Sequence, residues 1–409
     1  MMEKIRLGVV REGKVPPDFR VPLTPKQCKL VQLKFPHVEV IVQPSPIRTF
    51  TDQSYIDEGI TVREDLSDCD IIIGVKEVKV EDLIPGKKYI FFSHTIKKQP
   101  YNRRLLQHIL QQKIELIDYE VMKNKQGKRL IGFGRYAGIV GCYNGFRAFG
   151  LKHKLFDLKK ANDCENRIEL EQELQKVVLP SDTKIVLTGF GRVGYGAREI
   201  LDIMPIMEVS PEEFVNEKYD EPIFTHLDVE DYFARKDGAA FEKKHFYENG
   251  GQYKSVFPKY AQTADMYVAC HFWSNASPVI LAADDLRAPG CKLKVVADIS
   301  CDIGGPIAST IRSSSIAEPI FGYNPETEEE GDFMKPENIA VMAVDNLPCE
   351  LPKDASEDFG NELIKHIFPA LFSEDPDNII GRATETTAEG ELSEYFRYLS
   401  DYVNSVAEN

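Results

Sequence analysis

Residues 184–201, KIVLTGFGRVGYGAREIL, decide how the rest of the chain is read. Ile185, Val186 and Leu187 form an apolar run of the kind found in a buried strand, Gly189, Gly191 and Gly194 give G-x-G-x-x-G, and residues 197–201 begin a helix. Strand, glycine turn and helix in that order make a dinucleotide site. Gly189 permits the tight turn, Gly191 the approach of backbone to a pyrophosphate, and Gly194 the packing of helix on strand, with the helix N-terminus facing the phosphates. Arg192 and Val193, inside the loop, are counted with the glycines as cofactor-binding. The competing reading is a tight turn in a sheet with no ligand.

Outward from this unit, 409 residues exceed one ordinary core, so two or three domains are expected. A formal net charge of −15 disfavours nucleic acid and anionic lipid as main partners, because an acidic surface repels phosphate polymers. A small acidic substrate needs only a local basic cluster. The eight cysteines, at 28, 69, 142, 164, 270, 291, 301 and 349, show no C-x-x-C pair and no companion His spacing, so neither a metal site nor a disulfide framework is expected. The N-terminal apolar stretch carries charges, and no run of about 18 uncharged apolar residues occurs. The expectation is a soluble cytoplasmic protein with no membrane partner, of open oligomeric state.

Residues 4–10 read as a strand followed by a loop, 11–20, that holds Arg11, Lys14 and Arg20 beside two prolines, a candidate anion site. Residues 25–34 read as a helix, and 38–42 and 70–75 as strands, the second ending in Lys76. A strand at 89–92 ends at Ser93, His94 and Thr95; a helix at 102–112 leads to a strand at 114–117 that ends at Asp118, Tyr119 and Glu120. This alternation predicts a parallel sheet covered on both faces, with the polar residues where such sheets bind ligands.

Residues 132–150 read as a glycine-rich crossing that becomes helical, 156–178 as a solvated covering helix, and 238–260, polar and aperiodic, as a long surface excursion. Strands are expected at 266–269 and 293–297, and helices at 362–371 and 391–403 that return to the first domain. Glu208, 19 residues after Gly189, falls where an acid binds an adenosine ribose, while Ser210 offers a partner for a 2′-phosphate. The cofactor is therefore NAD(H) or NADP(H).

The blocks REGKVPPDFRVPLTP, IIIGVKEV, FFSHTIK, LIDYE, KRLIGFGRYAG, VVADISCDIGGPI and VDNLPCELPKDAS stand in one order across residues 4–372. In this the chain resembles the lysine-forming saccharopine dehydrogenases, especially the lysine-ketoglutarate reductase portion of the bifunctional lysine-degrading enzyme, and more distantly alanine dehydrogenase and the transhydrogenase alpha subunit. The resemblance implies hydride transfer between a nicotinamide and the carbon–nitrogen bond that joins lysine to 2-oxoglutarate in saccharopine. Some fungal relatives pair a cysteine in the glycine loop with one on a later strand; Cys270 matches the second, but Val193 stands at the first, so that disulfide is not expected.

Joining an amine to a ketone requires two groups that exchange protons near neutral pH, and Lys76 and His94, at the ends of two neighbouring strands, suit the role. The resemblance makes them the acid–base pair; the competing reading is a surface lysine and a packed histidine. Glu77 and Glu120 would hold those cations, and Arg20 and Arg129 match substrate-facing arginines, whose planar fork suits carboxylates. Trp273 and Asp298 are placed beside the cofactor, and Asp345 beneath the nicotinamide or on Lys76.

The resulting expectation is an α/β chain of two doubly wound Rossmann-like domains with a cleft between them, the first discontinuous. Residues 1–140 and 346–409 form the substrate domain, and 141–345 the dinucleotide-binding domain. Lysine, 2-oxoglutarate and saccharopine are the expected small-molecule partners. The alternatives are a related amino acid dehydrogenase, such as alanine dehydrogenase or an N-carboxyalkyl amino acid synthase, and a non-catalytic nicotinamide-binding regulatory protein.

Overall fold

The computed structural model describes residues 4–405. The chain is α/β and divides into two compact units, one of Met1–Phe133 with Pro352–Asn409 and one of Gly134–Leu351.

The first unit is built on a six-stranded sheet of β1 (Ile5–Val9), β2 (Val38–Val42), β3 (Thr61–Val62), β4 (Ile71–Ile73), β5 (Lys88–Phe91) and β6 (Glu115–Asp118), in the order β3-β2-β1-β4-β5-β6. Every pairing is parallel. Successive residues of one strand enter two different cores: Ile71, Ile73, Ile90 and Phe92 join one cluster, Ile72, Tyr89 and Phe91 the other. Both faces are thus covered, which is why these strands are continuous apolar runs. The helix Pro25–Lys34 starts where the sequence places it, because Thr24 and Gln27 form a capping box and Pro25 takes the first turn. The chain returns through the helix Pro352–Glu362, continued by a π-turn at Leu363–Ile367, and this segment adds Phe359, Leu363 and Ile367 to the first core.

The second unit holds an eight-stranded sheet, β15-β14-β16-β13-β12-β7-β9-β8, made of β7 (Lys184–Thr188), β8 (Met207–Glu208), β9 (Ile223–Leu227), β12 (Met266–Ala269), β13 (Val295–Asp298), β14 (Ile320–Asn324), β15 (Glu329–Gly331) and β16 (Ile339–Met342), with β10 (Phe233–Arg235) and β11 (Tyr253–Ser255) as a separate pair. The sheet is parallel except at β14 and β15. The glycine-rich crossing is helix from Gly134 to His153. Its glycines are packing devices: a Cβ on Gly138 would lie 1.9 Å from the Val193 carbonyl, so the glycine lets this helix lie against Arg192–Asp202.

Three expectations are corrected. Residues 156–178 are not one covering helix but short turns around Arg167–Glu173, because Asn166 stops the run and caps the Glu169 N–H. Residues 238–260 are not a surface excursion: the helix Lys243–Glu248 and β11 bury Phe246, Tyr253, Phe257 and Tyr260 in the core. Aromatics carried by a short helix, a short strand and turns follow neither period, so the stretch reads as polar. Residues 391–403 are a 3-10 helix, Glu394–Leu399, and a short helix, Ser400–Asn404.

Candidate active site

In the first sheet the chain moves outward from β1 to β2 and β3, then crosses back to β4, so the loops after β1 and β4 leave in opposite directions and open a crevice. Glu12, Lys76 and His94 each lie three residues past the ends of β1, β4 and β5, and Glu120 two past β6. Four adjacent strands therefore deliver four ionisable groups to one end of the sheet.

Glu12 ties the first two loops together. Its Oε1 accepts the Val75 N–H at 2.6 Å and its Oε2 the Lys76 N–H at 2.9 Å, with the side chain buried. Burial pushes this carboxyl up to about 7, against the opposing pull of those two N–H groups and of Arg20. Lys76 is pushed down, first by burial and then by the cations Arg20 and Lys14, and is partly restored by Asp18 and Glu77. A lysine so placed exchanges protons closer to neutrality than an exposed one.

Beside it, Glu77 is shared between two partners: His94 Nδ1 lies 2.8 Å from Oε1 and Lys14 Nζ 3.2 Å from Oε2. Burial alone would raise Glu77, but the His94 hydrogen bond and the charges of His94 and Lys14 hold it at about 2. With Nδ1–H donating to an ionised carboxylate, Nε2 is the nitrogen left for proton exchange. His94 itself has φ 56°, in the left-handed region, and its ring lies over Phe92 with centroids 6.5 Å apart.

The two arginines expected to face substrate lie at this end of the unit, but not as open forks. Arg20 is 2 % exposed and directs Nε (2.9 Å) and Nη2 (2.5 Å) onto Asp18, with its guanidinium 4.1 Å from the Phe133 ring centroid. Burial would raise Asp18; the Arg20 pair more than offsets this and holds it at about 2. Arg129 donates to Glu120 at 3.0 Å and lies over Phe92, 5.4 Å from its centroid. So Arg20, Lys76, Glu77 and His94 form one cluster, and Glu120 with Arg129 adjoins it through Phe92. A cavity of about 510 Å³ also opens beside Glu12, but neither Lys76 nor His94 lines it.

The glycine loop behaves as its spacing demands. Gly189 has φ +98°, and a Cβ there would meet the Cys270 carbonyl at 2.4 Å; a Cβ on Gly194 would lie 1.8 Å from the Gly189 carbonyl, while one on Gly191 would meet nothing within 4 Å. Gly191 caps the helix with no side chain on the first N–H groups. A cavity of about 450 Å³ is lined by Gly191, Arg192, Val193, Asp228, Lys243 and His271 among others. Two buried imidazole nitrogens lack partners among the described residues, Nδ1 of His226 and Nε2 of His271. His226 uses its Nε2 to hold the Gly189 carbonyl at 2.7 Å, and burial pushes His271 down to about 3, keeping it neutral. An uncapped helix start, a glycine cradle and an orphaned neutral histidine on the wall fit a dinucleotide.

The other cofactor residues lie elsewhere. Glu208 sits on the edge strand β8 and pairs with Arg198 at 2.7 Å; Ser210 caps Pro211–Asn216 in a box with Glu213; neither lines the cavity. The acid that does is Asp228, at the end of β9, whose carboxylate oxygens accept from Lys243 Nζ at 3.0 and 3.1 Å. Asp228 stands 39 residues after Gly189, well beyond the usual spacing, because β8 and a helix are inserted before β9. The signal available was the apolar run IFTHL ending in Asp. Trp273 donates to the Pro278 carbonyl at 2.9 Å. Asp298 is buried, raised by burial to about 6, and accepts from Thr310 Oγ1 at 2.7 Å and Cys301 N–H at 3.0 Å, so it braces a loop. Asp345 is exposed in a turn after Val344. Glu12 escapes sequence reading because REGK looks like a basic loop. No disulfide joins any of the eight cysteines, and among the described residues no group of His, Cys, Asp and Glu is arranged to hold a metal.

Residues 8–140 match the family described as alanine dehydrogenase/PNT, N-terminal domain. Alpha-aminoadipic semialdehyde synthase of Arabidopsis thaliana is 32% identical over 400 residues, 87% of this chain and 37% of that protein. The saccharopine dehydrogenase (NAD(+), L-lysine-forming) of Yarrowia lipolytica is 25% identical over 385 residues, covering 89% of this chain and 92% of that one. The chain spans less than half the length of the synthases it matches, 46% for that of Mus musculus. An L-alanine dehydrogenase structure superimposes with a TM-score of 0.63 at 16% identity, over 97% of this chain and 99% of that one, which shows a shared fold. The chain is thus a homologue of the alpha-aminoadipic semialdehyde synthases and saccharopine dehydrogenases, built on the alanine dehydrogenase fold.

Proposed function

We propose that the chain catalyses the nicotinamide-dependent reductive condensation of L-lysine with 2-oxoglutarate to saccharopine, or its reverse. The observation that carries this reading is the cluster of a lysine shifted toward neutrality, a histidine fixed on an ionised glutamate and two arginine–carboxylate pairs at the crevice of the first sheet. A bound nicotinamide supplies or accepts the hydride. Gly189, Gly191, Arg192, Val193 and Gly194 would hold its pyrophosphate, and Asp228 the ribose hydroxyls. Lys243, already on Asp228, would face a 2′-phosphate, so the pair leaves room for NADP(H) as well as NAD(H).

Lys76 Nζ would take and return the proton of the condensing amine and carbinolamine, and His94 Nε2 the second proton, with Glu77 fixing the tautomer. Arg20 and Arg129 would trade part of their internal pairing for substrate carboxylates, which keeps each charge matched before binding and after it. Eight cysteines with no disulfide among them support placing the protein in a reducing compartment such as the cytoplasm. The test follows reduced-cofactor absorbance with lysine plus 2-oxoglutarate against ammonia plus pyruvate. Oxidation with the first pair alone is expected; oxidation with the second identifies an alanine dehydrogenase, and none with either, despite tight cofactor binding, identifies a regulatory protein.

A further inference from the structure

Behind His94 lies a polar group that the proposed chemistry does not use. Asp118 ends β6, and Glu385 reaches it from a segment of the chain that runs antiparallel along the outer edge of that strand. Ile117 bridges Thr384, Glu385 N–H donates to the Leu116 carbonyl at 2.7 Å, and Leu116 N–H donates to Thr386 Oγ1 at 2.9 Å. Both carboxyls are fully buried and converge on one hydroxyl, Ser93 Oγ, which lies 2.5 Å from Asp118 Oδ2 and 3.2 Å from Glu385 Oε1.

The donors decide their charge. Asp118 Oδ2 accepts the Ser93 N–H at 3.2 Å and the Ser93 hydroxyl at 2.5 Å, and its Oδ1 accepts the Glu120 N–H at 2.6 Å. Among the described residues Glu385 Oε2 accepts only the Thr95 hydroxyl, at 2.6 Å, while Oε1 lies 3.2 Å from Ser93 Oγ, whose single proton already serves Asp118. None of these partners is a cation. Two adjacent buried carboxylates without a cation do not both ionise, so Asp118, with three donors, is the anion, and Glu385 carries the proton and donates it to Asp118. Burial raises both groups in the same direction.

Ser93 and Thr95 flank His94 directly. Thr95 N–H donates to Ser93 Oγ at 3.2 Å, and with the Ser93 hydroxyl on Asp118 and the Thr95 hydroxyl on Glu385, the histidine projects from a turn tied on both sides to the two acids. A non-glycine residue at φ 56° persists only where its neighbours fix the backbone.

We propose that Asp118 and Glu385 share one proton and that this pair, acting through Ser93 and Thr95, is the positioning element that holds His94 on Glu77 for proton exchange. A residue 291 positions away in sequence from His94 thereby sets the geometry of an acid–base group. The inference rests on the assignment of His94 as such a group, and the experiment separates the two.

Steady-state turnover and cofactor affinity are compared for Glu385→Ala, Glu385→Gln, Thr95→Val and His94→Gln, with infrared spectra of the wild type and Glu385→Gln. Loss of the anchor in Glu385→Ala should lower kcat by ~10- to 100-fold while cofactor affinity stays within about twofold. Glu385→Gln should restore kcat to within about threefold, because its amide NH₂ donates to Asp118 and its oxygen accepts from Thr95. If Glu385→Ala does not fold, Thr95→Val, which removes one hydroxyl, should still slow kcat by ~5- to 10-fold. The carbonyl band of a buried protonated carboxylic acid should be present in the wild type and diminished in Glu385→Gln. Full turnover in both Glu385→Ala and Thr95→Val, a Gln variant as slow as the Ala variant, or an undiminished band overturns the proposal. Full turnover of His94→Gln instead overturns the assignment of His94 on which it rests.

Discussion

The glycine loop and the strand-end cluster are two solutions to placing atoms, and they leave different marks. The loop is a backbone object: Gly194 has no room for a Cβ because the Gly189 carbonyl, one turn back, occupies it at 1.8 Å. The cluster is a side-chain object, in which Glu12, Lys76, His94 and Glu120 come from four separate loops, and Lys76 and Glu77 are tuned by burial and by the charges of Arg20, Lys14 and His94. A constraint within a few residues shows in spacing; a convergence from Glu12 to Glu120 shows only once the sheet order is known. In the proposed function the loop would hold the cofactor and the cluster would act on the substrate.

The sharpest way to break the first half of the comparison is Gly194→Ala. The added methyl would force the Gly189 carbonyl and the His226 ring that holds it to move, so cofactor binding and turnover should both fall below detection. Fluorescence titration of reduced cofactor checks this; wild-type affinity would mean the loop does not hold the dinucleotide.

The second half is sharpened by Glu12, where a charge is controlled by burial. Its folded-state value, about 7, lies above its ordinary value of 4.5, so its contribution to stability is fully present below pH 4.5 and is lost as pH rises through 7. Over that window the loss amounts to about 3 kcal/mol. Chemical denaturation of the wild type across this window should show the decline, and Glu12→Gln should flatten it. Asp18 and Glu77 work in the opposite sense: each is held at about 2, below its ordinary value, so the stability each supplies is present above that ordinary value and is lost as pH falls through 2.

A smaller effect separates the two acids of the second unit. Asp228→Asn should change cofactor affinity by ~10-fold, the worth of one charge-assisted hydrogen bond, and shift the NADPH-to-NADH ratio. Glu208→Gln should leave both within about twofold, since Glu208 meets Arg198 outside the cavity. A larger effect at Glu208 than at Asp228 would reverse the assignment.

How far the chain is legible follows from the same contrast. The strands 38–42 and 266–269 and the helix 25–34 are readable to the residue, because apolar runs, Pro25 and the Thr24 cap are local signals. Lys76 and His94 are legible as strand-end residues within matching blocks. Asp228 is not, because an insertion displaces it from the usual spacing, and Glu12 is not, because its environment comes from Val75, Lys76 and Arg20 rather than its neighbours in REGK. The buried aromatics Phe246, Tyr253 and Tyr260 are hidden by a mixed short helix and strand. Arg20 is less open than its sequence suggests, since Asp18, two residues before it, already occupies part of its fork.

The claim that the two regions divide the work is tested most directly by measuring turnover and cofactor dissociation on the same preparation of Lys76→Met. Turnover should fall by ~10²- to 10⁴-fold, the usual worth of a general acid–base group, with the dissociation constant within about twofold of wild type. Unchanged turnover, or a parallel collapse of cofactor binding, would contradict the account.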